Sequence, residues 1–386
     1  MTKRDKTDWR LIGLLWAAGL GAAAQYGKIS VIFDRLPQIY PDAGATLGFA
    51  VSLVGFLGIL LGIVAGVLVA GIGYRRALLW ALLTGAAMSA VQSVFPPLPV
   101  FLLTRVIEGA AHLAIVVAAP TMIAQLAKPK DIGLALTLWG TFFGVAFAML
   151  AWAGLALVSA FGPSALMLAH AVYMAGMAAI LWPRLPRIVA RPTPVHAADL
   201  IQAHRRIYTS PRIGAPALGW LFYTACFVSV LTVFPPYLPP HLRAFVIGAM
   251  PLMSILSSMT LGVYLLRYIQ AVTVVMIGFG TCAVFAALLW LFPGQPVLAL
   301  ALGAGLGLVQ GASFAAVAQL NATPSDRALA NGGLAQMGNL GNTTGTPLMV
   351  AIIAGAGYGG LMLALIVLFS GGLLVHLLLR WRRGPG

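Results

Sequence analysis

The chain has 386 residues, of which 61% are hydrophobic and only 8% charged, and its mean hydropathy is +0.97. A water-soluble domain carries about 25% charged residues, so composition excludes an ordinary soluble enzyme or binding module and makes hydrocarbon the solvent. The net charge of +15 does not point to nucleic acid, because the cations sit at the ends of apolar runs and form no interleaved basic and aromatic surface.

The first apolar run, 11–33, is too long for a signal-peptide core of about 7–15 residues and has no suitably placed small-residue cleavage site. It is expected to be a retained first helix. Apolar runs between turn residues then predict twelve transmembrane helices, at 11–33, 44–70, 77–95, 98–126, 132–160, 164–182, 214–236, 244–266, 271–292, 296–320, 329–355 and 359–379. Pro96 and Pro97, Gly162 and Pro163, Pro235 to Pro240, and Pro293 to Pro296 punctuate the runs as turns should.

The longest polar segment divides the chain six spans and six. The expected organisation is an N-terminal six-helix bundle at 1–183, a cytoplasmic linker at 184–213 and a C-terminal six-helix bundle at 214–386. Within the linker, Ala197 to Tyr208 could form a short interfacial helix; plain tethering is its simplest role. An even count puts both termini on one side. Of the 23 cations, only Lys28, Arg35, Arg105 and Arg243 lie away from that side, and Lys3, Arg4, Arg187 and Arg191 are among those on it. The positive-inside rule therefore predicts cytoplasmic termini and a multi-pass protein of a bacterial-type inner membrane.

The two halves also look related at a nearly constant offset of about 197 residues. Gly66 pairs with Gly262, Lys130 with Arg327, Gly144 with Gly341, and Tyr40 with Tyr237. Parallel repeats of this kind build transporters whose site lies near the midplane, between the halves.

Three motifs carry a family resemblance. After span two the chain reads Gly66-Val-Leu-Val-Ala70-Gly71-Ile-Gly73-Tyr74-Arg75-Arg76; span four reads Arg105-Val-Ile-Glu108-Gly109-Ala-Ala-His112; span eleven reads Gly338-Asn339-Leu-Gly341-Asn342-Thr-Thr-Gly345-Thr-Pro347. These resemble the gating loop, the Arg-x-x-x-Gly element and the glycine-rich C-terminal helix of the major facilitator superfamily (MFS), over essentially the whole length. The resemblance implies an all-α fold of two pseudo-symmetric six-helix bundles, a gating loop at Gly66, Gly73, Arg75 and Arg76 with Arg267 in the second half, and a proton-coupling role for Arg105. Ala70 and Gly71 stand where the family has an acidic–basic pair, and span five has only Gly140 and Gly144 in place of an antiporter's Gly-Pro pattern.

Charged groups within a bilayer cost at least about 2.5–3.5 kcal/mol each, so they persist with a partner or a role. Glu108 lies about 15 Å into span four, near the midplane, at 1.5 Å rise per residue. Arg105, Glu108 and His112 share one helical face, which must avoid lipid. One reading makes Glu108 a protonation site tuned by Arg105 and relayed by His112; the other makes Arg105 and Glu108 a buried structural pair and His112 an interior histidine. In span one, Gln25 and Lys28 are candidate solute contacts, although Lys28 could equally snorkel to the interface. Asp34 is a coupling candidate or, beside Arg35, a solvated helix end. Gln310, Gln336, Asn339 and Asn342 could orient a polar solute or bond between helices. Two cations hint at an anionic or zwitterionic solute. His170 and His376 read as structural.

No metal-ligand or redox spacing links Cys226 and Cys282. The stretch Gly21 to Ser30 is not a phosphate loop, since Ile29 follows Lys28 and no strand precedes it. No intramembrane protease or hydrolase motif is present, so no cofactor, metal or enzymatic activity is expected. The expected function is secondary transport of a small solute by a monomer in contact with membrane lipids, with protons as the coupling partner. An uncoupled facilitator and a transporter-like sensor are the alternatives.

Overall fold

The computed structural model describes residues 6–186 and 197–384; Lys3, Arg4, Arg187 and Arg191 lie outside the described residues. Among the described residues nine helices are long and apolar enough to cross a membrane, and Ala65–Ile72 and Tyr74–Gln92 pass the same test together but meet at a bend of 100°, which separates the end of span two from span three. Trp9–Ser30 is a 22-residue helix at the place of the predicted span one and keeps that label, although it is not among the nine. Span two is broken into short helices, among them Leu47–Ser52, Phe56–Leu61 and Ala65–Ile72. Spans three to six are Tyr74–Gln92, Leu98–Leu126, Ile132–Phe161 and Pro163–Leu181. Spans seven to ten are Gly214–Val233, Arg243–Leu265, Ala271–Leu291 and Pro296–Leu320.

The last helical run, Pro324–Arg383, has 60 residues, or about 90 Å at 1.5 Å per residue, three times a hydrocarbon core. It must fold back. Gly357, with φ 58° and ψ −150°, makes the break, inside the predicted 356–358 interval. This gives spans eleven and twelve. Gly73 does the same work after span two, where φ 90° suits a residue without a Cβ. The linker carries a helix, Ala197–Thr209, where a short one was predicted.

Contacts group the chain into two compact units: Met1–Ile32 with Val64–Pro194, and Phe33–Ile63 with Val195–Gly386. The first has a core from spans one, three, four and six, including Ile12, Leu15, Leu78, Leu82, Ile115, Met122 and Leu181. Its N-terminal segment is fastened by Thr7, whose hydroxyl donates to Asp131 at 2.5 Å. In the second, span eleven packs on span seven and span ten on span eight through small residues. Gly303, Gly307 and Gly311 place backbone directly against Met250, Ser254 and Ser258, a small-residue seam that compensates for the missing hydrophobic drive between helices in lipid. The first part of span two packs along span eleven in this unit, with Gly48 against Pro347 and Gly58 against Asn339.

Candidate functional site: a buried charged cluster

Span four turns Arg105, Glu108 and His112 inward together, and all three are buried. Span one contributes Gln25 and Lys28, span three Ser89 and Gln92, and span six His170. Gln25, Lys28, Ser89, Gln92, Arg105 and Glu108 have 0% exposure. Glu108 is the hub. Its Oε1 accepts from Lys28 Nζ at 2.7 Å, and its Oε2 accepts from Arg105 Nη1 and from Gln92 Nε2, the latter at 2.9 Å. Lys28 Nζ also donates to Ser89 Oγ and lies 3.4 Å from His170 Nδ1. Arg105 reaches back to span one, donating Nη2 to the Gln25 carbonyl at 2.5 Å.

The histidines have defined roles. His170 Nε2 faces the Gly21 carbonyl at 2.9 Å, so it carries the proton and Nδ1 accepts from Ser89 Oγ at 2.6 Å. His112 Nδ1 donates to the Ala22 carbonyl at 3.0 Å, and the ring meets Tyr26 edge-on at 5.2 Å. The cluster ties spans one, three, four and six into one polar core. Charges taken out of water are tolerable only when paired and hydrogen-bonded. Here one carboxylate serves two cations, leaving one positive charge in excess.

The Major Facilitator Superfamily model matches residues 14–322. The chain belongs to the major facilitator superfamily. It is a transporter and not an enzyme. Among solved structures it is similar to the MFS transporter FucP in the outward conformation, at 14% identity and a TM-score of 0.67, covering 96% of this chain and 98% of that one. A second structure of FucP, the E. coli fucose:proton symporter, gives 15% identity and a TM-score of 0.66 over 98% of this chain and 99% of that one. At such identities the likeness is one of fold. A comparison with curated proteins gives no match.

The other predicted residues of this transporter scatter. Asp34 is exposed on the 3-10 turn Phe33–Arg35. In the gating loop, Gly66 meets open space, Gly73 makes the turn, and Arg76 is exposed. Arg75 joins span three to the end of span six, donating to the Trp182 carbonyl at 2.7 Å with its guanidinium 5.7 Å from that ring. Arg267 is exposed. In the second unit, Gln310 accepts from Ser254 at 3.3 Å, Asn339 donates to the Ala335 carbonyl at 2.8 Å, and Asn342 Oδ1 is buried without a partner. Gln336 fastens three elements: its Oε1 accepts from Tyr208 at 2.6 Å, and its Nε2 donates to the Ile59 carbonyl at 3.0 Å and lies 3.1 Å from His204. Burial pushes the Tyr208 phenol up to about 12, so it remains a neutral donor.

Of the two readings of Lys28, snorkelling is ruled out; it is wholly buried and paired with Glu108. His170, read as structural, is hydrogen-bonded in the shell around Lys28 and Ser89. Ser89, Gln92 and Thr104 were missed altogether. Ser89 and Gln92 stand three apart in the last part of Tyr74–Gln92, which is otherwise apolar from Gly85 on, and that spacing was the one available signal. Among the described residues no group of His, Cys, Asp or Glu is arranged to hold a metal ion.

Proposed function

We propose that this transporter is a proton-coupled secondary carrier of a small organic solute, and that the Lys28–Glu108–Arg105 cluster couples protonation to transport. The observation that carries the proposal is a three-charge network with no solvent exposure, deep in helices that cross the membrane. A structural pair would need one cation; the second is chemistry beyond what folding requires. The surplus positive charge favours an anionic or zwitterionic solute, for which Gln25 supplies a buried amide with neither polar atom partnered. Gln310, Gln336, Asn339 and Asn342 remain candidate contacts in the second half. Transport would proceed by alternating access of the six-helix halves 1–183 and 214–386, joined by the linker 184–213. Protonation biases which state dominates, as differential stabilisation requires.

In this reading the protein works as a monomer in a bacterial-type inner membrane, with both termini and the linker cytoplasmic, as the cation asymmetry predicts. Fold similarity to a fucose:proton symporter supports coupling in general and says nothing of this solute. A second reading, an uncoupled facilitator, draws on Ala70 and Gly71 replacing the charged pair of the gating loop. Uptake of candidate organic acids and amino acids into vesicles, with and without an imposed pH gradient, separates the two. Coupling predicts accumulation that follows the gradient and is lost in Glu108→Gln; gradient-independent equilibration would favour the facilitator.

A further inference from the structure

We infer that Lys28, not Glu108, is the group in this cluster that takes up and releases the proton. The inference rests on the coupling reading above and assigns its chemistry to one atom. Both oxygens of Glu108 already accept from donors: Lys28 Nζ at 2.7 Å on Oε1, and Arg105 Nη1 and Gln92 Nε2 on Oε2. Lysine and arginine have no acceptor to offer. Gln92 cannot readily turn its oxygen inward, because the same Nε2 donates at 2.9 Å to Thr104, whose hydroxyl is given to the Phe101 carbonyl. The Ser89 hydroxyl is 3.5 Å from Oε1, and its oxygen already accepts from Lys28 Nζ. A proton on Glu108 would therefore face donors and would remove the one negative charge that offsets Lys28 and Arg105 in a dry interior.

A proton leaving Lys28 has the opposite consequence. The remaining Arg105–Glu108 pair is neutral, and the network can be rewired without moving a helix. As an ammonium, Nζ directs hydrogens at Glu108 Oε1 and Ser89 Oγ, with His170 Nδ1 as the third neighbour. As an amine, Nζ keeps two hydrogens and gains a lone pair. It can go on donating to Glu108, while the Ser89 hydroxyl rotates from His170 to donate to Nζ and the second N–H takes over His170 Nδ1. His170 keeps its Nε2 proton on the Gly21 carbonyl in both states. The proton passes to or from water whenever the cluster is opened in the transport cycle.

The charged and titratable neighbours of Lys28 are few. Span four presents Glu108 and Arg105, with His112 on the same face but bonded to the Ala22 carbonyl. Span six presents His170, and span three presents the uncharged Ser89. Span five lies against the adjacent Gly27 with Phe147 and Leu150, which do not titrate. Arg105 keeps its proton, so the exchange falls to Lys28, Glu108 or a histidine.

Infrared titration of the full chain in lipid vesicles, with proton uptake counted by a pH indicator, tests the assignment without a solute. The expected result is reversible uptake with no carbonyl stretch of a protonated carboxyl, and loss of that uptake in Lys28→Arg, which keeps the charge but does not release its proton. If Lys28→Arg fails to fold, Lys28→Met, which leaves a neutral Arg105–Glu108 pair, takes its place: uptake lost in folded Lys28→Met supports the assignment, and uptake retained there overturns it in favour of a histidine. A carboxyl band that Glu108→Gln removes, or uptake that survives Lys28→Arg, would overturn the assignment and leave coupling intact. No uptake at all would overturn both.

Discussion

The two units of this transporter solve the problem of holding helices together in hydrocarbon by opposite means. In the first, spans one, three, four and six converge on buried charges, with Glu108 bonded to Lys28, Arg105 and Gln92. In the second, spans seven and eleven approach until backbone touches backbone: a Cβ on Gly345 would run into the Ala225 carbonyl, and one on Gly341 into Thr224 and Leu221. Glycine packing is inexpensive and inert. A desolvated triad of charges is neither, and apolar residues of similar volume would hold a bundle at least as well. On the coupling reading proposed above, the contrast assigns the proton chemistry to the first unit.

Substitutions can break that contrast, and the largest effect belongs to the charges. Glu108→Ala leaves Lys28 and Arg105 buried side by side, and the expected destabilisation is about 3–5 kcal/mol. A thermal melt in detergent should show collapse of the monodisperse species; an unshifted melt would mean the cations are not buried together. Next is Gly345→Val, which forces spans seven and eleven apart at an expected cost of about 1–3 kcal/mol, read by the same melt.

Smaller effects sharpen the picture. Tyr208→Phe removes the hydrogen bond from the linker helix to Gln336 and should cost about 0.6 kcal/mol, the average for polar contacts between membrane helices. Limited proteolysis of the linker should report it as faster cleavage. Least is Arg206→Ala, which breaks a pair with Asp326 at 2.6 Å whose side chains are 52% and 20% exposed. Solvent screening limits the expected change to about 0–1 kcal/mol, and a larger loss of melting temperature would show that the linker is more than a tether.

How much of this was legible beforehand follows from where the constraints act. The spans, the break at Gly357 and the turn at Gly162 could be read because hydrocarbon forces apolar runs of fixed length between breakers. The shared face of Arg105, Glu108 and His112 was legible because helical spacing is local. The partners of Lys28 and His170 were not legible because they lie on helices far away in sequence: 80 residues separate Lys28 from Glu108, and 142 separate it from His170. A lysine near a helix end looks the same in sequence whether it snorkels or turns inward. The segmentation of span two was also hidden, since the 3-10 turn Leu53–Gly55 and the break between Phe56–Leu61 and Ala65–Ile72 fall inside a run, 44–70, that composition alone reads as continuous. The bonds of Gln336 to Tyr208 and Ile59 could not be read either, because an amide in an apolar helix gives no sign of its partners on other elements.

The account stands or falls on whether solute movement draws a proton through the buried cluster. Vesicles carrying the full chain and an internal pH dye, challenged with a solute found by the uptake screen, measure this directly. Solute-driven proton movement should be clear in the wild type and absent in Lys28→Met, which leaves a neutral Arg105–Glu108 pair and so should still fold. Proton movement in folded Lys28→Met equal to that of the wild type would contradict the account.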